Sequence, residues 1–166
     1  MKPVASVVAL FCEDAREEKS GGMTLLGVFP DNMKVPMIPG RFGKLTVYVR
    51  ASFDPNSLPE TIHFRMTLPD DQEVAFDDID PTAHLEEIQD AVQKGAPLFG
   101  VIMTAETMGL PIMKAGRIVV LARIGNGEEF PVGALNVQPD PAAATFSTVQ
   151  LRPSAQSPSA APAKAP

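Results

Sequence analysis

Lys44–Phe53 alternates without a break. Leu45, Val47, Val49, Ala51 and Phe53 fall on one side, and Lys44, Thr46, Tyr48, Arg50 and Ser52 on the other. Successive side chains of a strand point to opposite faces, so period two predicts a strand with one face on a core and one in water. Thr61–Leu68 repeats the pattern. Ile62, Phe64, Met66 and Leu68 point inward, and Thr61, His63, Arg65 and Thr67 outward. Sheets with one wet face are characteristically antiparallel.

Further strands are expected on either side. Val4–Phe11 is an apolar, valine-rich run whose length suits a strand buried on both faces. Met23–Phe29 is a second apolar run, and the two read as a pair of core strands onto which later strands are laid. The charged link Glu13–Lys19 is expected to close as one helical turn before Gly21-Gly22. Met33–Gly40 carries Pro36 and Pro39 and reads as extended or at a sheet edge. Glu73–Phe76 returns as a hairpin partner after Pro69-Asp70-Asp71-Gln72.

The period then changes. Asp80-Pro81 reads as an N-cap and first helical residue, Leu85, Ile88, Ala91 and Val92 share a helical face, and Gly95 stops the helix. One helix, Pro81–Lys94, of about 14 residues is expected to cover an open end of the sheets. Leu98–Thr107 resumes as a strand. Met108–Ala115, with Gly109 and Pro111, reads as a kinked edge piece. Arg117–Ile124 and Glu129–Val137 flank Gly125-Asn126-Gly127, a strong hairpin signal. Eight or nine strands with one helix, and no strand–helix alternation, predict an all-β antiparallel β-sandwich, immunoglobulin-like or C2-like. The domain is expected over residues 1–138. Residues 139–166 are rich in Pro, Ala and Ser and read as a mostly disordered tail. Within the tail, Thr145–Leu151 reads as a loosely held piece, an added edge strand or a short docking motif.

With 166 residues, 45% of them hydrophobic, the chain can build one core without metals or disulfides. A net charge of −6 and a pI near 4.9 oppose phosphate, so neither nucleic acid nor an anionic membrane is an expected partner. No segment has the length to span a bilayer. The apolar run after Lys2 meets Glu13, Asp14 and Arg16 with no small-residue cleavage site, so a signal peptide is not expected. Phe11 before Cys12 argues against a lipoprotein site. The single Cys12 fits a reducing compartment, and a cytoplasmic location is expected.

Several residue groups could carry chemistry. Asp77, Asp78 and Asp80 supply the oxygens a calcium ion wants, although a solvated loop explains them as well and Asp80 also serves as the cap. His84 and Glu87 lie three apart on the expected helix, and a transition metal would need a further ligand. His63 reads as ordinary surface. Cys12, followed by Glu13 and Asp14, reads as a small residue ending a core strand rather than a nucleophile. Glu13, Asp14, Glu17 and Glu18, with Arg16 and Lys19, read either as acid/base groups or as a solvated run with local ion pairs. Met103, Met108 and Met113 read as core filling or as an adaptable binding surface.

Cys12-Glu13-Asp14, Ala15, Arg16, Glu17, Gly21 and Leu25-Leu26-Gly27-Val28-Phe29 together resemble the N-terminal signature of an uncharacterised family of small bacterial and bacteriophage proteins, a domain of unknown function. That signature runs apolar strand, Cys-Asp-Asp, a hydrophobic residue, Arg and Glu, then Gly-Lys and Leu-x-Gly-Val-Phe or Tyr. Here Glu13 replaces the first Asp, and Gly22 stands where Lys is usual. The resemblance covers most of Val4–Val137 and is specific only in the first segment. It implies a bacterial or prophage origin and a β-sandwich, and brings no activity. The repeated Asp, Arg and Glu mark a site or a salt-bridge hub that holds the first connection; the hub is preferred. The function expected first is a non-enzymatic binding or assembly module, with an unknown protein partner or a second copy and no cofactor. A calcium- or small-ligand-binding sandwich is the alternative. A hydrolase is the third reading, and it requires Glu17, Asp14 and His84 to converge.

Overall fold

A computed structural model describes residues 4–142. Ten strands follow in order: β1 (Val4–Cys12), β2 (Asp14–Glu17), β3 (Met23–Leu26), β4 (Asn32–Val35), β5 (Gly40–Phe53), β6 (Ile62–Thr67), β7 (Glu73–Ala75), β8 (Phe99–Ile112), β9 (Gly116–Ile124) and β10 (Glu129–Pro139). A 3-10 turn at Pro81–His84 leads into α1 (Leu85–Gln93) between β7 and β8. The fold is an all-β sandwich. One sheet has the order β1-β5-β8, the other β4-β10-β9-β6-β7, and β2 and β3 form a small sheet of their own. Every pairing is antiparallel except that of β4 with β10. The tail piece Thr145–Leu151 lies outside the described residues.

The alternating stretches form the two facing walls. Leu45, Val47, Val49, Ala51 and Phe53 of β5 are completely buried. They face Ile62, Phe64 and Met66 of β6, with Ile118, Val120, Leu135 and Val137 from β9 and β10. Burying a side chain of this size contributes on the order of 2 kcal/mol, which makes this layer the main source of stability. Phe53 and Phe99 close one end, their ring centroids 5.8 Å apart.

The N-terminal expectation needs correction. Val4–Phe11 and Met23–Phe29 do not form the central pair; β1 pairs with β5, and β5 is the central strand. β1 is not buried on both faces, because it lies at a sheet edge. Ala9 and Phe11 point inward, while Val8 and Leu10 are about 40% exposed. The charged link is not a helical turn. Asp14–Glu17 pairs with Met23–Leu26, and this hairpin raises the strand count to ten, above the eight or nine expected.

Asp80 caps the helical segment through Oδ1, which accepts from the Thr82 N–H at 2.9 Å, and Pro81 follows it. The first turn is 3-10 rather than α, so the single α-helix over Pro81–Lys94 is corrected to Leu85–Gln93. Only Ile88 of the apolar stripe is fully buried; Leu85 and Val92 remain exposed. β8 runs unbroken through Gly109 and Pro111, joining the expected strand and edge piece into one strand.

Candidate functional site

The N-terminal motif folds into a connected corner. Glu13 N–H donates to the carbonyls of Leu26 and Gly27, and Phe29 N–H to that of Phe11. The Glu13 side chain lies across Gly27: a Cβ there would sit 2.7 Å from its Cγ, Cδ and Oε2, and Gly27 has φ +60°. The positive φ favours glycine, and any Cβ there would require the Glu13 side chain to shift. Thr46, expected on the wet face, is fully buried beneath this corner, and its Oγ1 donates to the Glu13 carbonyl at 3.3 Å.

Asp14 is the charged centre of the corner. Lys44 Nζ donates to Oδ1 at 2.7 Å and Arg16 Nε to Oδ2 at 2.6 Å. The lysine bond first, and then the arginine bond, hold the Asp14 carboxyl at about 2. Lys44 also reaches Glu106 on β8 at 3.0 Å, and its own pKa is raised by Asp14 and then Glu106. Cys12 is buried, and desolvation foremost pushes its thiol up; a protonated, enclosed thiol is a poor nucleophile. Glu17 lines a hollow of about 330 Å³ with Ala15, Gly21, Met23, Ile102 and Thr104, where the β2–β3 hairpin leans over the outer face of β8.

The acidic loop lies elsewhere. Asp80 is occupied by Thr82, whose hydrogen bonds lower its pKa. Asp78 Oδ2 meets His63 Nδ1 at 2.8 Å. Asp77 lies apart from both, beside β8. Among the described residues no three His, Cys, Asp or Glu side chains are grouped to hold a metal ion. His84 acts on Asp80, Asp14 faces Lys44 and Arg16, and Glu17 lines the hairpin hollow. These three share no hydrogen bond, ion pair or pocket among the described residues.

Sequence reasoning missed the open side of the sandwich. β8 ends the three-stranded sheet and β7 ends the five-stranded one. Between them runs a groove of about 460 Å³, lined by Val74–Asp77 and Met103–Thr107. Val74, Phe76 and Met103 form its half-buried apolar floor, and Asp77 and Glu106 stand exposed on its two rims. Among the described residues β8 hydrogen-bonds as a strand to β5 alone. Its outward residues Ile102 and Met108 are 42% and 74% exposed. The sequence signals for this side are the recurrence of Met103, Met108 and Met113 and the reading of Met108–Ala115 as an edge piece. The groove itself joins segments about thirty positions apart.

A second hollow of about 320 Å³ lies at one end of the sandwich, where Val35, Met37, Phe42 and Ile112 meet Lys34 and Arg41. No helix among the described residues is long and apolar enough to cross a membrane.

No curated protein and no solved structure matches the chain. Residues 7–132 match the model of a family of unknown function, DUF6941, and the chain belongs to that family.

Proposed function

We propose that this protein is a non-enzymatic binding module, bacterial or prophage in origin and cytoplasmic, that docks a protein partner along β8. One observation carries the reading: a 14-residue strand pairs with β5 on one side and with no described strand on the other. An unpaired edge presents a row of N–H and C=O groups that another chain can complete. The N-terminal signature supports the bacterial or prophage origin, and the acidic chain with one buried cysteine supports the cytoplasmic setting.

The test is affinity capture of the tagged full chain from its source cells, beside the double variant Ile102→Lys/Met108→Lys. Both side chains are exposed, so the variant should melt within a few degrees of the parent. A stoichiometric partner that the variant loses is the expected result. A partner held equally by both proteins, or a strict monomer that captures nothing, overturns the reading.

A further inference from the structure

We infer that the groove between β7 and β8 takes an extended segment in which apolar residues alternate with Lys or Arg. This deepens the binding reading above and rests on it. A strand added to β8 inherits its alternation. Met103 and Ala105 face the sandwich interior, as do their β5 partners Val49 and Val47, whereas Thr104 and Glu106 face outward. The incoming residues opposite Met103 and Ala105 therefore lie over the apolar floor of Val74 and Phe76. Those opposite Thr104 and Glu106 remain in water.

Charge selects the second set. Directly opposed unlike charges stabilise a strand pair, and like charges destabilise it. Lys44 is shared between Glu106 and Asp14, and the Glu106 side chain remains 51% exposed. On the other rim Asp77 takes no hydrogen bond or ion pair among the described residues. Among the described residues no basic side chain lines the groove, and the chain as a whole carries −6. A second copy would bring the same acidic rims and the same net charge, so a basic partner is the complementary one. Met103–Thr107 offers about 16 Å of edge, room for about five residues of added strand.

The experiment uses the full chain and a fluorescein-labelled peptide of alternating Lys and Val, read by anisotropy. Saturable binding is expected, weakened about tenfold by Asp77→Lys together with Glu106→Gln and weakened further by salt. Glu86→Lys, a change of +2 on the exposed face of α1 against +3 in the double variant, should leave it unchanged. A peptide of alternating Glu and Val should not bind. Nor should the Lys/Val peptide with a central proline, which cannot complete the ladder.

Equal binding of the proline peptide overturns the inference, as does equal weakening by Glu86→Lys, because attraction would then be to the overall charge. A dimer crosslinked through β8, or peptide binding that appears only after residues 143–166 are removed, overturns it by giving the edge another occupant. If Ile102→Lys/Met108→Lys abolishes partner capture while the Lys/Val peptide fails to bind, the edge keeps its binding role and only this partner chemistry falls.

Discussion

The two outer strands of the three-stranded sheet differ in what they meet. β1 comes up against β10, which bulges between Pro131 and Gly133. A Cβ on Gly133 would overlap the carbonyl oxygen of Ala9 and sit 3.0 Å from its carbonyl carbon and Cβ. Among the described residues β8 has only the groove and β7 beyond it. Closing one side of the sandwich thus requires two backbones to approach within the width of a methyl group, which only glycine permits. The other side carries Thr104 and Glu106, outward residues that can change without touching the core. The closed side leaves no room for a side chain at Gly133, and a surface for contact is left at the open one.

The sharpest way to break this contrast is to add a side chain at each side. Gly133→Val should cost about 3 kcal/mol, because overpacking against backbone cannot be relieved by a rotamer change. Thr104→Val, on the exposed face of β8, should stay within about 0.5 kcal/mol of the parent. Urea midpoints at unchanged m-value report both. Equal losses would show that the two sides are braced alike.

A middle-sized effect is expected at the corner above β8. Gly27→Ala meets both a positive φ and the Glu13 side chain and should cost about 1–2 kcal/mol. In a Glu13→Ala background the same change should cost less, since the obstacle is gone. The double-mutant cycle measures that coupling. A cost that stays the same in both backgrounds would assign it to φ alone and leave Glu13 without a role at Gly27.

Local patterns made much of this legible. The alternation of Lys44–Phe53 and Thr61–Leu68, the Asp80-Pro81 cap and the Gly125-Asn126-Gly127 hairpin each follow from neighbours in sequence. The failures share one cause. An apolar run such as Val4–Phe11 does not say whether its strand is central or at an edge, so Val8 and Leu10 were expected inside. Asp14–Glu17 is too short and too charged to declare itself a strand; it becomes one because Met23–Leu26 lies beside it. The burial of Thr46 depends on that same corner folding over it. The groove depends on which strands end two different sheets, and no window of sequence contains both.

The smallest expected effect is electrostatic, and it separates the two sides by pH. In the folded chain Lys44 and then Arg16 hold the Asp14 carboxyl at about 2, below its ordinary 3.8. The native state therefore keeps the carboxylate ionised at a pH where the unfolded chain has begun to protonate it. The contribution is fully present above about pH 4 and is lost as pH falls through about 2. The Tm gap between parent and Asp14→Asn should stay constant from about pH 5 to 8 and close on acidification below about pH 4. The gap should be small and shrink with salt, because Arg16 is 66% exposed and Lys44 33%. A gap that widens in acid would mean the carboxylate is repelled rather than held. Lys44 also reaches Glu106 on β8, so the same titration loosens the tie between hairpin and open-side strand. The contact of Gly133 with Ala9 contains no titratable group, and the loss from Gly133→Val should not follow that titration. A Gly133→Val loss that tracked Asp14 would show the closed and open sides to be coupled through β5, and the contrast between them would no longer hold.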